Sequence, residues 1–424
     1  MNDSSFEMAT SNLRFGPGAT AEVGMDLVDL GVKRVLLLTD PRMAKLPPVA
    51  TTIDSLERNG VQYELFDRVR VEPTDASLGE AIAVATAGEF DAYVAVGGGS
   101  TIDTAKAANL YATYPAELLT YVNAPVGQAR PVPGPLKPLI AIPTTAGTGS
   151  ETTGVVIFDL TTTHAKTGIA HRRLKPTLGI VDPENTRTQP PLVAASTGLD
   201  VLCHALESFT AIPFNSRPRP ERPTLRPAYQ GANPVSDIWS LRSLEITSKY
   251  LRRACADTSD DDARWQMLLA SSYAGMGFGN AGVHLCHGMS YPISGMVRDY
   301  FPDGYPADHA LVPHGVSVVL SAPAVFRFTA SASPERHLQA AAALGIDVAG
   351  RHAADAGEVL AEWLLRLMQD LKLPNGLGAI GFTSADAPRL AQGAVLQHRV
   401  TKLSPRPASE EDLAKLFEES MKLW

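Results

Sequence analysis

Asp200 and His204 stand four positions apart in STGLDVLCHALES. On a helix that spacing puts both side chains on one face, with Ser196 or Thr197 available as the N-cap. A carboxylate and an imidazole aimed at one point can begin a divalent-metal site, although the same pair often serves only as a polar contact. Three more histidines sit in glycine-flanked segments: His284 and His287 in GVHLCHGMSYPISG, and His314 in LVPHGVSVVL. Two of them would complete a site of four protein ligands that leaves room for a substrate oxygen. His284 and His287 are three apart, so either could be the ligand and the other its support.

A second group of residues is suited to phosphate. Gly97-Gly98-Gly99-Ser100-Thr101-Ile102-Asp103 follows an apolar run and opens a helical one containing Lys106. Glycines there let the backbone approach a pyrophosphate, and a helix N-terminus supplies free N–H groups. Pro143-Thr144-Thr145-Ala146-Gly147-Thr148-Gly149-Ser150-Glu151 follows another such run. Its small hydroxyl residues can hydrogen-bond a phosphate or a nicotinamide carboxamide without steric bulk. Two such loops at neighbouring strand ends fit the rule that ligands of open α/β sheets sit beyond the carboxyl ends of strands. Asp40, closing the first apolar run, could accept hydrogen bonds from an adenosine ribose, which favours NAD over its phosphorylated form.

These loops need a parallel sheet beneath them, and the first part of the chain supplies one. Val35 to Leu38, Tyr93 to Val96, Leu139 to Ile142 and Ile180 to Val181 read as buried strands alternating with helical stretches, and VQYELF adds another. After about residue 190 strand-like runs give way to amphipathic helical ones such as SDIWSLRSLEITSKYLRRA and EVLAEWLLRLMQDLKL. The expectation is an α/β dinucleotide-binding domain over 1–190 and an all-helical domain over 191–424, with the boundary at Pro190–Pro191. Prolines from Ile212 to Pro234 exclude helix interior and central strand there, leaving a long loop.

With 424 residues, 45% hydrophobic and 19% charged, the chain has the composition of a soluble globular protein. A net charge of −8 disfavours nucleic acid and anionic membranes as partners. Three cysteines, Cys203, Cys255 and Cys286, are no disulfide framework and fit a reducing compartment. No apolar run is long enough to span a membrane. The N-terminus lacks a signal-peptide core, and its Asp3 and Glu7 argue against a transit peptide, so a cytoplasmic location is expected.

GGGSTIDTAKA, PTTAGTGSE, GLDVLCHALES, CHGMSYP and PHG, in that order, resemble the iron-containing (type III) alcohol dehydrogenase family along nearly the whole chain. The resemblance implies a dinucleotide-binding α/β domain followed by a helical domain, with the site in the cleft between them. It implies Asp200, His204, His287 and His314 as metal ligands, ferrous iron being favoured and zinc possible from the donor set, and leaves His284 outside. It assigns Gly98, Gly99, Ser100, Asp103, Thr144, Thr145 and Thr148 to NAD, with Asp40 at the adenosine end and Lys166 alongside. Two departures narrow the branch. Where many relatives have a histidine four residues after the third ligand, this chain has Tyr291, and the interval from His287 to His314 is longer than usual. The proton-relay histidine therefore does not carry over, and Tyr291 could itself exchange a proton, although a phenol is a weak base without help.

With RPAYQGANPVSDIW and LSPRPASEEDLAKLFEESM, these departures are similar to the hydroxyacid-oxoacid transhydrogenase branch. That resemblance implies oxidation of 4-hydroxybutyrate to succinate semialdehyde, reduction of 2-oxoglutarate to 2-hydroxyglutarate, and a nicotinamide recycled in place. Carboxylated substrates need an anchor, and the proline-rich loop offers Arg217, Arg219, Arg222 and Arg226; Arg226 is favoured because it lies in the segment most like the branch. Rival readings are a dehydrogenase that releases NAD each cycle, a lyase like dehydroquinate synthase, and a non-catalytic nucleotide-binding protein. Small hydroxyacids and oxoacids are the expected partners, together with further copies of the chain in a dimer or larger homo-oligomer.

Overall fold

The computed structural model describes residues 1–162 and 165–424. They form two compact units, one of Ala9–Gln189 and one of Met1–Met8 with Pro190–Trp424. In the first unit the strands are β1 (Asn12–Phe15), β2 (Arg34–Leu38), β3 (Gln62–Phe66), β4 (Ala92–Gly97), β5 (Leu139–Pro143), β6 (Val155–Leu160), β7 (Ala165–Ala170) and β8 (Leu178–Val181). Its helices are α1 (Val23–Asp29), α2 (Pro47–Arg58), α3 (Asp75–Ala87) and α4 (Gly99–Thr113). Six strands make one parallel sheet in the order β1-β8-β5-β4-β2-β3, and β6 pairs antiparallel with β7.

Apolar runs buried on both faces build this sheet. Val35 and Leu37 of β2, with Val94 and Val96 of β4, pack on α1 and α2 through Val23, Leu27, Val49 and Leu56. Leu36, Leu38, Tyr93 and Ala95 turn the other way, onto Ala81 and Ala85 of α3 and Ile102 and Ala105 of α4. β2 has β3 on one side and β4 on the other, so the direction of winding reverses between β2 and β4. At such a switch point the carboxyl ends of the two strands leave a crevice. Here those ends carry Asp40 and the Gly97–Ser100 turn.

The second unit holds α5 (Pro191–Thr210), α6 (Pro234–Ala256), α7 (Asp261–Ala281), α8 (Leu285–Met296), α9 (His314–Val319), α10 (Ala322–Ala330), α11 (Pro334–Ala343), α12 (Ala356–Asp370), α13 (Ala387–Val395), α14 (His398–Thr401) and α15 (Glu410–Glu419). Many starts follow from capping chemistry: Asn233 accepts from the N–H of Val235 and Ser236 ahead of Pro234, and Asp260 accepts from Ala263. In α5 the expected cap at Ser196 or Thr197 is replaced by an earlier start. Pro191 at the first turn needs no N–H partner there, so both residues lie inside the helix.

The first eight residues, read from sequence as part of the α/β domain, belong to the helical unit. Asp3 is buried and bonded to Arg217 and Arg226, and Glu7 to Gln230. No helix among the described residues is long and apolar enough to cross a membrane.

Candidate active site

α5 packs on α6, α7 and α9, and α8 packs on α9; together α5, α8 and α9 present one polar cluster inside the helical unit. Asp200 and His204 come from α5, His287 from α8 and His314 from the start of α9. The imidazole Nε2 atoms of His204, His287 and His314 stand 3.6, 3.4 and 3.8 Å from Asp200 Oδ1. Ligand atoms of Asp200, His287 and His314 all lie within 4.8 Å of one another. His204 is outside that tightest set, its ring stacked between Phe278 at 3.8 Å and His287 at 4.6 Å.

Gly315 makes the approach of α9 possible. A Cβ there would sit 1.8 Å from the carbonyl oxygen of Ser196 and 2.9 Å from the amide of Asp200. Only glycine lets α9 lie close enough to α5 for His314 to reach Asp200.

The cluster also contains a residue that sequence reasoning missed. Glu207 is buried on α5, seven positions after Asp200. One oxygen accepts from the N–H of Cys286 at 2.6 Å and of His284 at 3.2 Å, and the other bonds His287 Nδ1. A carboxylate on one ring nitrogen fixes the tautomer and aims the other nitrogen, the usual support of a metal-bound histidine. His284 is committed elsewhere, with Nδ1 accepting from Leu285 N–H and Nε2 against Thr210 Oγ1.

Burial opposes ionisation of Asp200, yet His204 and His314 hold its carboxyl well below the usual range. Burial likewise works against Glu207, and His284 and His287 outweigh it. His204, buried, is pushed down to about 3. For His287 burial is outweighed by Glu207 and Asp200, which raise it to about 9. Two ionised carboxylates thus sit among imidazoles inside the protein. Asp200 Oδ1 and His287 Nε2 are buried without a hydrogen-bond partner, whereas native buried polar atoms are almost always paired. Excess negative charge and unpaired donor atoms converging on one point fit a divalent cation.

In the α/β unit the two loops nest at the ends of β4 and β5. A Cβ on Gly98 would lie 3.3 Å from Thr145 Oγ1, and one on Gly99 would lie 2.5 Å from Thr148 Cγ2. α4 begins at Gly99 without a side-chain cap, so its first N–H groups face the loop. Thr144 Oγ1 is buried and unpaired.

Other expected cofactor residues are held by the protein itself. Asp103 accepts from Ser150 Oγ at 2.6 Å, Lys106 Nζ at 3.4 Å and Ile157 N–H at 2.9 Å, tying both loops to β6. Lys166 pairs with Glu72 at 2.5 Å and Asp159 at 3.1 Å, and the Glu72 N–H donates to Ser100 Oγ. Asp40 Oδ1 accepts from the N–H of Arg42 and Met43.

The arginines of the proline-rich loop do not all stay open. Arg226, the favoured anchor, bonds Asp3 through both Nε (2.8 Å) and Nη2 (3.2 Å), because a buried carboxylate from the N-terminal segment fits its fork. Arg217 shares the same Asp3, while Arg219 and Arg222 are exposed. Tyr291, one turn after His287, is buried and its Oη accepts from Arg399 Nη2 at 2.9 Å.

Comparison with known proteins adds three findings. Residues 10–183 match the model of a family described as iron-containing alcohol dehydrogenase, and residues 228–421 match that of the Fe-containing alcohol dehydrogenase family, C-terminal. Proteins named "Hydroxyacid-oxoacid transhydrogenase, mitochondrial" from Bos taurus and Homo sapiens are each 58% identical over 424 residues, spanning 100% of this chain and 91% of theirs. The crystal structure of a 1,3-propanediol oxidoreductase superposes with a TM-score of 0.85 at 30% identity, over 98% of this chain and 100% of that one. An alcohol dehydrogenase from Oenococcus oeni gives 0.85 at 27% identity, over 98% and 100%. The relatives' names overturn the expected cytoplasmic location and point to the mitochondrion. The acids that argued against a transit peptide are folded parts of the helical unit, with Asp3 the partner of Arg217 and Arg226.

Proposed function

Since this chain belongs to the iron-containing alcohol dehydrogenase family, in its hydroxyacid-oxoacid transhydrogenase branch, we propose that it moves a hydride from 4-hydroxybutyrate to 2-oxoglutarate through a nicotinamide that stays bound. C4 of 4-hydroxybutyrate loses a hydride and its hydroxyl a proton, giving succinate semialdehyde. C2 of 2-oxoglutarate gains the hydride and its oxygen a proton, giving 2-hydroxyglutarate, so the sum is redox-neutral.

The observation that carries the reading is the cluster of buried Asp200 and His287 with half-buried His314, in which Asp200 Oδ1 and His287 Nε2 have no hydrogen-bond partner. In this reading Asp200, His204, His287 and His314 hold ferrous iron, or zinc, and NAD lies on Gly98, Gly99, Ser100, Thr144, Thr145 and Thr148 with Asp40 at its adenosine end. When bound, the metal supplies Lewis acidity at the substrate oxygen and NAD supplies the hydride acceptor and donor. Glu207 keeps the proton of His287 on Nδ1, so that Nε2 faces Asp200. Asp103 and Lys166 support the loops from behind, the first through Ser150 and Ile157 and the second through Glu72. Burial of Asp200, His204 and His287 keeps bulk water from competing for their atoms, while the half-buried His314 lies at the open side of the cluster.

The test is to incubate the metal-loaded protein with 4-hydroxybutyrate and 2-oxoglutarate, adding no nicotinamide, and to follow 2-hydroxyglutarate by mass spectrometry. Product in large excess over enzyme-bound cofactor is expected. Product only on addition of NAD would replace this reading with a dehydrogenase that releases its cofactor, and no product in either case would remove the substrate pair.

A further inference from the structure

We propose that Arg399 is the carboxylate anchor of the substrate site, held in place by Tyr291 and Tyr229, and that one anchor serves both half-reactions. This rests on the acid substrates of the preceding reading and names the residue that selects them.

Arg399 lies on α14. Its Nη2 donates to Tyr291 Oη at 2.9 Å, and its guanidinium carbon sits 4.9 Å over the ring of Tyr229. Nη1 is buried with no hydrogen-bond partner, and among the described residues Arg399 forms no ion pair. Forks elsewhere are filled: Arg14 by Asp26, Arg226 by Asp3, Arg253 by Asp260 and Arg327 by Glu358. A guanidinium taken largely out of water without an anion is unfavourable. Fixed by a phenol on one side and a ring beneath, it is organised to receive a carboxylate with little further ordering.

Both groups that hold Arg399 adjoin the metal cluster by separate routes. Tyr291 follows His287 by one turn of α8. Tyr229 meets Phe278 edge-on at 6.3 Å, and Phe278 stacks on His204 at 3.8 Å. The rise of one helical turn, about 5.4 Å, is on the order of the length of a short carboxylic acid. In 4-hydroxybutyrate two methylenes separate the reacting C4 from the carboxylate. In 2-oxoglutarate two methylenes also separate the reacting C2 from the distal carboxylate. A single guanidinium at a fixed distance from the hydride-transfer point therefore fits the donor and the acceptor in turn, as a recycled cofactor requires.

The experiment compares holoenzyme carrying Arg399→Ala, Arg399→Lys or Tyr291→Phe with wild type. Calorimetry with succinate, an unreactive acid of the same spacing, reads binding apart from turnover. Succinate affinity should fall on the order of 10- to 100-fold in Arg399→Ala. The Michaelis constants for both acid substrates should rise by a similar factor, while that for n-butanol stays unchanged. Arg399→Lys, keeping the charge without the fork, should recover only part of the loss. Tyr291→Phe should raise KM for the acids more than it lowers kcat. Equal effects on acids and butanol, or wild-type succinate binding in Arg399→Ala, would overturn the assignment. If Arg399→Ala does not fold, Arg399→Lys is read by the same two criteria. A wild type that binds succinate through Arg399 yet converts neither acid would sink the transhydrogenase reading and leave the anchor standing.

Discussion

Glu207 shows what a single residue can add to a set of ligands. Its carboxylate reaches His287 Nδ1 and two backbone N–H groups of the α8 start, so Glu207→Gln should keep the fold but loosen the metal. We expect affinity to fall on the order of 10- to 100-fold, measured as metal retained after dialysis against graded chelator. Retention equal to wild type would remove the orienting role. Asp103 offers the complementary case. A contact to cofactor alone would leave the cofactor-free protein as stable as before, whereas Asp103→Ala takes a carboxylate from Lys106, leaving it Ser150 Oγ and the Val155 carbonyl, and should cost about 1–3 kcal/mol, read as a lower melting temperature without NAD. The convergence of His204, His287 and His314 on Asp200 was legible because a carboxylate four residues ahead of one histidine, with two more histidines next to glycines, is an unusual residue choice. Glu207 was not, since a glutamate in ALES reads as an ordinary helix residue until α8 is folded against it. Arg226 was legible as a fork but not as an occupied one, because its partner Asp3 is 223 positions away.

Among elements, the strands and long helices followed from hydrophobic runs, and the sheet's loops from the glycines between them. Shorter pieces left no such trace. β1 is one exposed and three half-buried residues recruited by pairing with β8. The β6–β7 hairpin, by contrast, buries Val156, Phe158, Leu160 and Ile169 in an apolar cluster, with Lys106 and Asp103 bonded to the β6 backbone. The crossing of α9 over α5 hangs on one atom's absence. Gly315→Ala would drive a methyl into the Ser196 carbonyl at 1.8 Å, two backbones with no side chain to yield. Destabilisation of about 1–3 kcal/mol or more is expected, with metal content lost in parallel as His314 leaves Asp200. A stable Ala variant with full metal content would show that α9 is not held at that distance.

On the scale of the whole molecule, a change of character near Pro190 was visible in composition, but the return of Met1–Met8 to the helical unit was not, because nothing local in MNDSSFEM marks it. Hydrogen bonds from Arg226, offset in part by burial, hold the Asp3 carboxyl well below the ordinary carboxylate range. A depressed carboxylate stabilises the fold above its unfolded value of about 3.9 and loses that contribution as pH falls through its folded value. The melting temperature of wild type should therefore exceed that of Asp3→Asn at neutral pH, and the gap should close on acidification below about pH 4. A gap that does not depend on pH would mean the pair acts through packing alone. The return of this segment also orders events in time. Met1–Met8 is synthesised before the whole α/β unit, while its partners Arg217 and Arg226 follow far behind; at ribosomal speeds the 223 positions from Asp3 to Arg226 take roughly 10–45 s. The α/β unit, running from Ala9 to Gln189, can complete itself during that interval. The helical unit must then capture a segment that left the ribosome well before it, so its closure is a late, long-range event, and a nascent chain stalled before residue 226 would carry a folded α/β unit with Asp3 still waiting for Arg226.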